Sequence, residues 1–158
     1  MSESPPEGAI IGVISDTHGS IPPEAIEALA GVDHIIHAGD VVSPTAVDDL
    51  RRLAPVTVVR GNMDSVEVIG RVGKTAVATV AGLAFYVLHD LDLLDLDPAA
   101  AGFDAVVHGH THRPDIEWRS GVLFLNPGSA SRPRGGGPTV AIVEAREGTL
   151  IPRIVSLG

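Results

Sequence analysis

Ala9 to His18 reads AIIGVISDTH: an apolar, partly β-branched run interrupted only by Gly12, then an abrupt polar change at Ser15-Asp16-Thr17-His18. The apolar half, residues 9 to 14, reads as a buried strand, and Ser15 to Ile21 as a polar loop. The neighbouring segments decide how that strand is used. Pro22 to Gly31, PPEAIEALAG, puts proline at a helix start, Ile26 and Leu29 on one side, and glycine at the stop. His34 to Gly39, HIIHAG, is a second strand. Ser43 to Ala54 offers Ser43 as N-cap, Pro44 in the first turn, and Val47, Leu50 and Leu53 at helical spacing. Val56 to Gly61, VTVVRG, is a third strand. Strand, helix, strand, helix, strand predicts parallel strands joined by crossover helices.

The second half changes character. Lys74 to His89 is two β-rich runs joined by Ala81-Gly82, a hairpin signal. Residues 92 to 102 allow a short helix, and strands are predicted at 103–108, 115–119, 122–125, 139–145 and 149–156. This half reads as mostly antiparallel. The whole is therefore expected to be an α/β fold, a four-layer αββα sandwich of two mixed β-sheets flanked by helices. Residues 1–8 are expected to form a disordered tail and residues 9–158 a single domain.

The composition fits that size. The chain has 158 residues, 44% apolar and 20% charged, enough for one real core. No apolar run approaches the roughly 20 residues that span a bilayer, so no membrane association is expected. MSESPPEGA at the N-terminus lacks a signal-peptide pattern. The chain has no cysteine, which excludes disulfides and thiolate metal sites and fits a cytoplasmic setting. The net charge of −9 argues against a protein that coats nucleic acid, which needs cations to neutralise phosphates. A small phosphorylated substrate remains compatible if bound metals supply positive charge locally, and a homo-oligomer is compatible as well.

His108 to His112 reads HGHTH, three of the chain's seven histidines within five residues. Residues two apart point the same way only in extended chain. FDAVV, just upstream, looks like a strand, so His110 and His112 are expected to aim at one point. Two converging imidazoles suggest a transition metal, with a chance polar loop as the other reading. The rest of the chain weighs in. Asp16-Thr17-His18, Gly39-Asp40, Gly61-Asn62-Met63-Asp64, His89 and Gly109-His110-Thr111-His112 each come after a predicted strand. In open α/β sheets, sites form at those ends. Turn chemistry explains any one of these clusters, but not their recurrence on successive strands. No G-x-G-x-x-G comes after the first strand, which excludes a dinucleotide-binding reading.

The ordered set D-x-H (Asp16, His18), G-D (Asp40), G-N (Asn62), a lone His89 and G-H-x-H (His110, His112) resembles the calcineurin-like metallophosphoesterases. With NPGS at Asn126 to Ser129, it resembles their small bacterial and archaeal phosphodiesterase group in particular. The resemblance covers residues 10 to about 130. It implies a dinuclear metal site in which Asp16, His18 and His112 hold one ion, Asn62, His89 and His110 hold the other, and Asp40 bridges. Such donors suit two divalent transition-metal ions, Mn²⁺ ahead of Fe²⁺, Zn²⁺, Ni²⁺ or Co²⁺. Two ions roughly 3.5–4 Å apart can turn a bridging water into the hydroxide that attacks phosphorus. The implied activity is phosphodiester hydrolysis. The alternative is a non-catalytic metal-binding scaffold or protein-interaction module, as in the retromer subunit that resembles the family. Asp64 and His37 are candidates for orienting the ligands. Arg113 is a candidate phosphate contact, with Arg132 and Arg134 behind it. His34 is expected to be exposed, and Trp118 and Tyr86 to pack.

Two positions depart from the family pattern. Met63 stands where many members carry a histidine that donates a proton or contacts phosphate, and Asp90 succeeds His89 where glycine is usual. Methionine cannot protonate a leaving group. The rate should therefore fall steeply as leaving-group pKa rises across a series of phosphodiesters. Since general acid catalysis contributes about 10²–10⁴-fold, Met63→His should raise turnover on the poorest leaving groups. A flat dependence in the unaltered protein would remove the role given to Met63.

Overall fold

A computed structural model describes residues 8–61, 64, 72–134 and 136–158. Strand β1 (Gly8–Ile14) starts one residue inside the stretch expected as tail, and residues 1–7 lie outside the described set. β1 pairs in parallel with β2 (His34–His37), and β2 with β3 (Val56–Val58). Helix α1 (Pro23–Ala28) makes the first crossover and α2 (Pro44–Arg51) the second, each with proline in its first turn. Ser43 occupies the N-cap of α2 with extended backbone, but its hydroxyl makes no capping bond.

β4 (Thr75–Val80) and β5 (Leu83–Leu88) form the expected hairpin around Ala81-Gly82. β6 (Ala105–Val107), β7 (Pro114–Arg119) and β8 (Val122–Pro127) complete a second sheet of order β4-β5-β6-β8-β7. β9 (Thr139–Arg146) and β10 (Thr149–Ser156) return to the first sheet, whose order is β10-β9-β1-β2-β3.

Both sheets are mixed. The antiparallel reading of the second half needs correction, because β5, β6 and β8 run parallel and hairpins occupy only the edges. AVV and VLFLNP are buried along their whole length, the mark of a central strand covered on both faces. The sheets meet across a layer of small aliphatic side chains that includes Ile11, Val13, Val87, Val107, Leu125 and Ala141. Leu29 and Leu50, from the helical side, cover the outer face of the first sheet against Ile14, Ile35 and Val140.

The layer outside the second sheet is thin. In place of a helix over 92–102 there is a 3₁₀ turn, Leu91–Leu93, succeeded by turns. Asp90 caps it, its carboxylate accepting from Asp92 N at 3.0 Å, and the run Pro98-Ala-Ala-Ala-Gly102 ends in a glycine with φ +86°. Leu91, Leu94, Leu96 and Phe103 still cover Tyr86, Val106 and Phe124 there. Trp118, expected to pack, lies exposed on edge strand β7, whereas Tyr86 does pack, 5.1 Å from the Phe103 ring. No helix among the described residues is long and apolar enough to cross a membrane.

Candidate metal centre

The parallel strands of both sheets end on one side of the sandwich, and the polar clusters sit just beyond those ends. Asp16 and His18 come after β1, Asp40 after β2, His89 directly after β5, and His110 and His112 after β6. These six residues converge. His112 Nε2 lies 3.3 Å from Asp16 Oδ1 and 3.4 Å from His18 Nε2. His89 Nε2 lies 3.3 Å from Asp40 Oδ2 and 3.7 Å from Asp16 Oδ1. Asp40 Oδ2 also faces His18 Nε2 at 3.9 Å. The His110 ring stands 5.2 Å from that of His89, edge-on. Asn62 and Met63 lie outside the described residues. Among the described residues two groups of three donors emerge, each with its ligand atoms within 4.8 Å of one another: Asp16, His18 and His112, and Asp16, Asp40 and His89.

The backbone is forced to deliver this arrangement. Asp16, His18, Asp40, His110 and His112 all have φ between +52° and +74°. A left-handed non-glycine residue costs on the order of 1 kcal/mol. Five of them cost a sizeable part of the roughly 5–15 kcal/mol that typically stabilises a domain. Ordinary turns would place glycine or asparagine there, so the side chains matter more than the turns. The glycines of the G-N and G-H motifs serve a different need. A Cβ on Gly61 would collide with the Asp40 carboxylate, and one on Gly109 with Ser15 Oγ and the Asp16 carboxylate. The loops touch so closely that only a bare backbone fits between them.

Hydrogen bonds behind the cluster orient the donors. His89 Nδ1 donates to Ala38 O at 2.7 Å and His112 Nδ1 to Arg132 O at 2.6 Å. Each bond places the proton on Nδ1 and turns an Nε2 lone pair toward the carboxylates. Asp16 Oδ2 accepts from Ser15 Oγ at 2.6 Å and from His110 N at 3.0 Å. Asp64 accepts from Val42 N at 2.6 Å, Gly61 N at 3.0 Å and Val41 N at 3.2 Å. It thereby ties the Asp40 loop to the Gly61 loop. His37 is fully buried. Its Nδ1 accepts from Gly39 N, and its Nε2 donates to Thr17 Oγ1, each at 3.1 Å, so it braces the loops of Asp16 and Asp40 together.

Sequence reasoning missed part of this bracing. Asn126 donates to Gly109 O and Thr111 Oγ1, both at 3.1 Å, and accepts from Gly128 N. Ser129 Oγ donates to Asp16 O at 2.8 Å and Ser131 Oγ to Thr17 O at 2.7 Å. NPGS was visible as a motif, but nothing in it says which loops it clasps. The three candidate arginines, Arg113, Arg132 and Arg134, are all exposed. Arg113 is exposed, and its backbone N–H donates to Thr111 Oγ1. Arg132 is the arginine whose positive charge reaches His18. His34, expected to be exposed, is half-buried, its Nε2 2.8 Å from Thr57 Oγ1.

The electrostatics call for a cation. Asp16 Oδ1 and His89 Nε2 are buried without hydrogen-bond partners. Burial raises the Asp16 pKa against the pull of the Ser15 hydrogen bond and the nearby imidazoles. Burial lowers that of His18, against the charges of Asp40 and Asp16. At His89 burial also pushes downward, but the adjacent Asp40 and Asp16 carboxylates outweigh it and the net shift is up. A buried carboxylate beside inward-facing imidazole nitrogens is costly alone and well suited to a divalent ion.

Residues 10–148 match the calcineurin-like phosphoesterase superfamily domain, and the chain belongs to that superfamily. It is 34% identical to a probable metallophosphoesterase of Methanothermobacter thermautotrophicus over 94% of this chain and 93% of that protein. Among solved structures it is similar to an archaeal phosphodiesterase, with a TM-score of 0.77 and 26% identity over 92% of this chain and 99% of the other. It also shares its fold with Vacuolar Protein Sorting 29 of Cryptosporidium parvum, with a TM-score of 0.75 and 21% identity over 94% and 97% of the two chains.

Two buried histidines make stability depend on pH. Burial lowers the His37 pKa to about 3 and that of His108 to about 4. Below pH 6.5 the unfolded chain takes up protons that these residues refuse in the folded state, so stability is complete above pH 6.5 and is lost as pH falls. At pH 5 each should contribute a loss of about 2 kcal/mol. Urea unfolding in the presence of a chelator at pH 7 and pH 5 measures this. His108→Leu should lose markedly less between the two pH values than the unaltered protein, and an equal loss would refute the assignment.

Proposed function

We propose that residues 9–158 act as a single cytoplasmic domain that hydrolyses phosphodiesters at a dinuclear centre. Asp16, His18 and His112 would hold one divalent transition-metal ion and Asn62, His89 and His110 the other, with Asp40 bridging and Mn²⁺ the foremost candidate. One observation carries the reading: Asp16 Oδ1 and His89 Nε2, buried and without a hydrogen bond, face His112 and Asp40 across the cluster at 3.3 Å each. When bound, the two ions supply a hydroxide nucleophile at neutral pH and offset the charge on the phosphoryl oxygens. The protein's own residues do the rest. Ala38 O and Arg132 O fix the tautomers of His89 and His112. Asp64 and His37 hold the Asp40 loop in place. Arg132, whose positive charge lowers the His18 pKa, and Arg113 are the candidate phosphate contacts.

Asp90 supports a diester over a monoester. Its carboxylate lies 3.9 Å from His110 Nε2, at the edge of the cluster. A phosphomonoester near neutral pH brings close to two negative charges and a diester one, so this fixed charge disfavours the monoester more. The likeness to Vacuolar Protein Sorting 29 concerns the fold alone, and the retained donor set favours catalysis over a scaffold role.

Metal analysis of the purified protein, with phosphodiesters and phosphomonoesters assayed in added Mn²⁺, tests the proposal. Asp40→Asn should lose metal and turnover together, by more than roughly 100-fold. Asp64→Asn should lose about 10–100-fold in metal affinity, as for groups that orient ligands. Retained metal and turnover in Asp40→Asn would end the dinuclear reading. Asp90→Gly should raise the monoester-to-diester ratio of kcat/KM roughly tenfold, and an unchanged ratio would remove Asp90 as the source of the preference.

A further inference from the structure

Among the described residues each sheet ends in two edge strands. An edge exposes backbone N–H and C=O groups that pair readily with another chain. Three of the four edges are blunted. β3 has three residues. β7 carries Asp115, Glu117 and Arg119. β10 puts Pro152 on its outward side, where a donor is then missing. β4 has none of these devices. Its six residues, TAVATV, contain no charge and no proline, and no described strand pairs with its other side. Val77, near its middle, is 56% exposed.

The neighbouring strands fix which backbone groups of β4 face outward. The Ala84 carbonyl accepts from Asp104 N, and Ala84 N donates to the Asp104 carboxylate, each at 2.8 Å. Both backbone groups of Ala84 therefore point away from β4. Thr79 lies opposite Ala84, so its own N–H and C=O face the free edge, and by alternation those of Val77 and Thr75 do too. Residues 75 to 79 read the same in both directions: Thr-Ala-Val-Ala-Thr. An antiparallel copy related by a two-fold axis at Val77 sets Thr75 against Thr79, Ala76 against Ala78, and Val77 against itself. Each outward donor then meets an acceptor, and each side chain meets its like, hydroxyl beside hydroxyl and aliphatic beside aliphatic. With a net charge of −9 two copies repel over most of their surfaces. The uncharged edge lets them meet without like charges in contact.

We propose that β4 pairs with the β4 of a second copy across a two-fold axis at Val77, joining the two second sheets into one continuous sheet. The inference is independent of the phosphodiesterase reading. A six-residue edge is about 20 Å long and covers less than the roughly 800 Å² per partner of a standard interface. The dimer is therefore reversible, with a Kd on the order of 10 µM. It also reaches the site. Arg60, Lys74 and Thr75 stand at the rim of a cavity of about 690 Å³ that opens beside the metal centre, with Leu93 in its wall. In the pair, Val80 and the Ala81-Gly82 turn of the second copy lie beside Lys74 and Thr75 and extend that rim.

Sedimentation velocity on the full chain, from about 2 to 200 µM, tests the pairing. The mass should rise from that of one chain toward that of two. Val77→Lys, at an exposed position, sets two like charges on the axis and should weaken association at least roughly tenfold. Trp118→Lys also replaces an apolar residue more than half exposed, but on edge β7, and should leave association unchanged. Val77→Cys would introduce the chain's only thiol. Across the axis the two Cα atoms lie about 5.5 Å apart, within the span of a disulfide. Mild oxidation should therefore link that variant into a covalent dimer. Val80→Cys should not cross-link, because its two copies are about 20 Å apart in this register. A mass that stays at one chain throughout, a dimer indifferent to Val77→Lys, or equal cross-linking of the two cysteine variants would overturn the proposal and leave the phosphodiesterase reading standing.

Discussion

Two buried carboxylates, Asp16 and Asp40, sit among imidazoles in a place where water does not reach them freely. Burying ionised groups costs several kcal/mol apiece even in relaxed proteins, and isolated pairing with histidine does not offset it. The local structure is shaped by this constraint. Five donor residues accept left-handed backbone. Glycines at 61 and 109 let loops from different strands touch. Asp64 commits its carboxylate to three backbone N–H groups to hold a neighbouring loop. A fold would not carry that set of costs for the sake of turns, and divalent cations would neutralise the charge that the fold has assembled.

The two-sheet architecture makes such a cluster feasible. Each sheet has a parallel centre, and parallel strands deliver all their C-terminal ends to one side. Packing two such sheets face to face doubles the number of loops that can converge. The interface between them is built of aliphatic side chains, with Phe85 the one aromatic among the described residues, so the sheets approach closely and the loops above them meet. Closing that side needs further clasps, and Asn126, Ser129 and Ser131 provide them from the end of β8 and the segment after it.

The thin outer layer of the second sheet has its own consequence. A full helix over residues 92–102 would bury the outer face of β5 up to His89. A 3₁₀ turn and a chain of tight turns cover only part of it. The uncovered part, between Leu93 and the rim at Arg60 and Lys74, is the cavity beside the centre. The same brevity explains why the helical signal of Pro98-Ala-Ala-Ala-Gly102 did not become a helix: proline and glycine leave three alanines between them, too few to offset the cost of nucleation.

The sequence by itself determined the elements and the chemistry. Runs such as AIIGVI, the proline starts of α1 and α2, the Ala81-Gly82 hairpin and the strand-end motifs are local signals, and the described strands and helices obey them. The identities of Asp16, His18, Asp40, His89, His110 and His112 as one group were legible because strand ends in an α/β fold share a side. Tertiary structure alone decided how the strands were distributed. β9 and β10 look like any hairpin, and their pairing with β1 rather than β8 depends on contacts more than 100 residues apart in sequence. It also decided that Trp118 stays exposed. Side-chain direction at a loop or a sheet edge is set by what the rest of the fold leaves uncovered, and no local pattern encodes that.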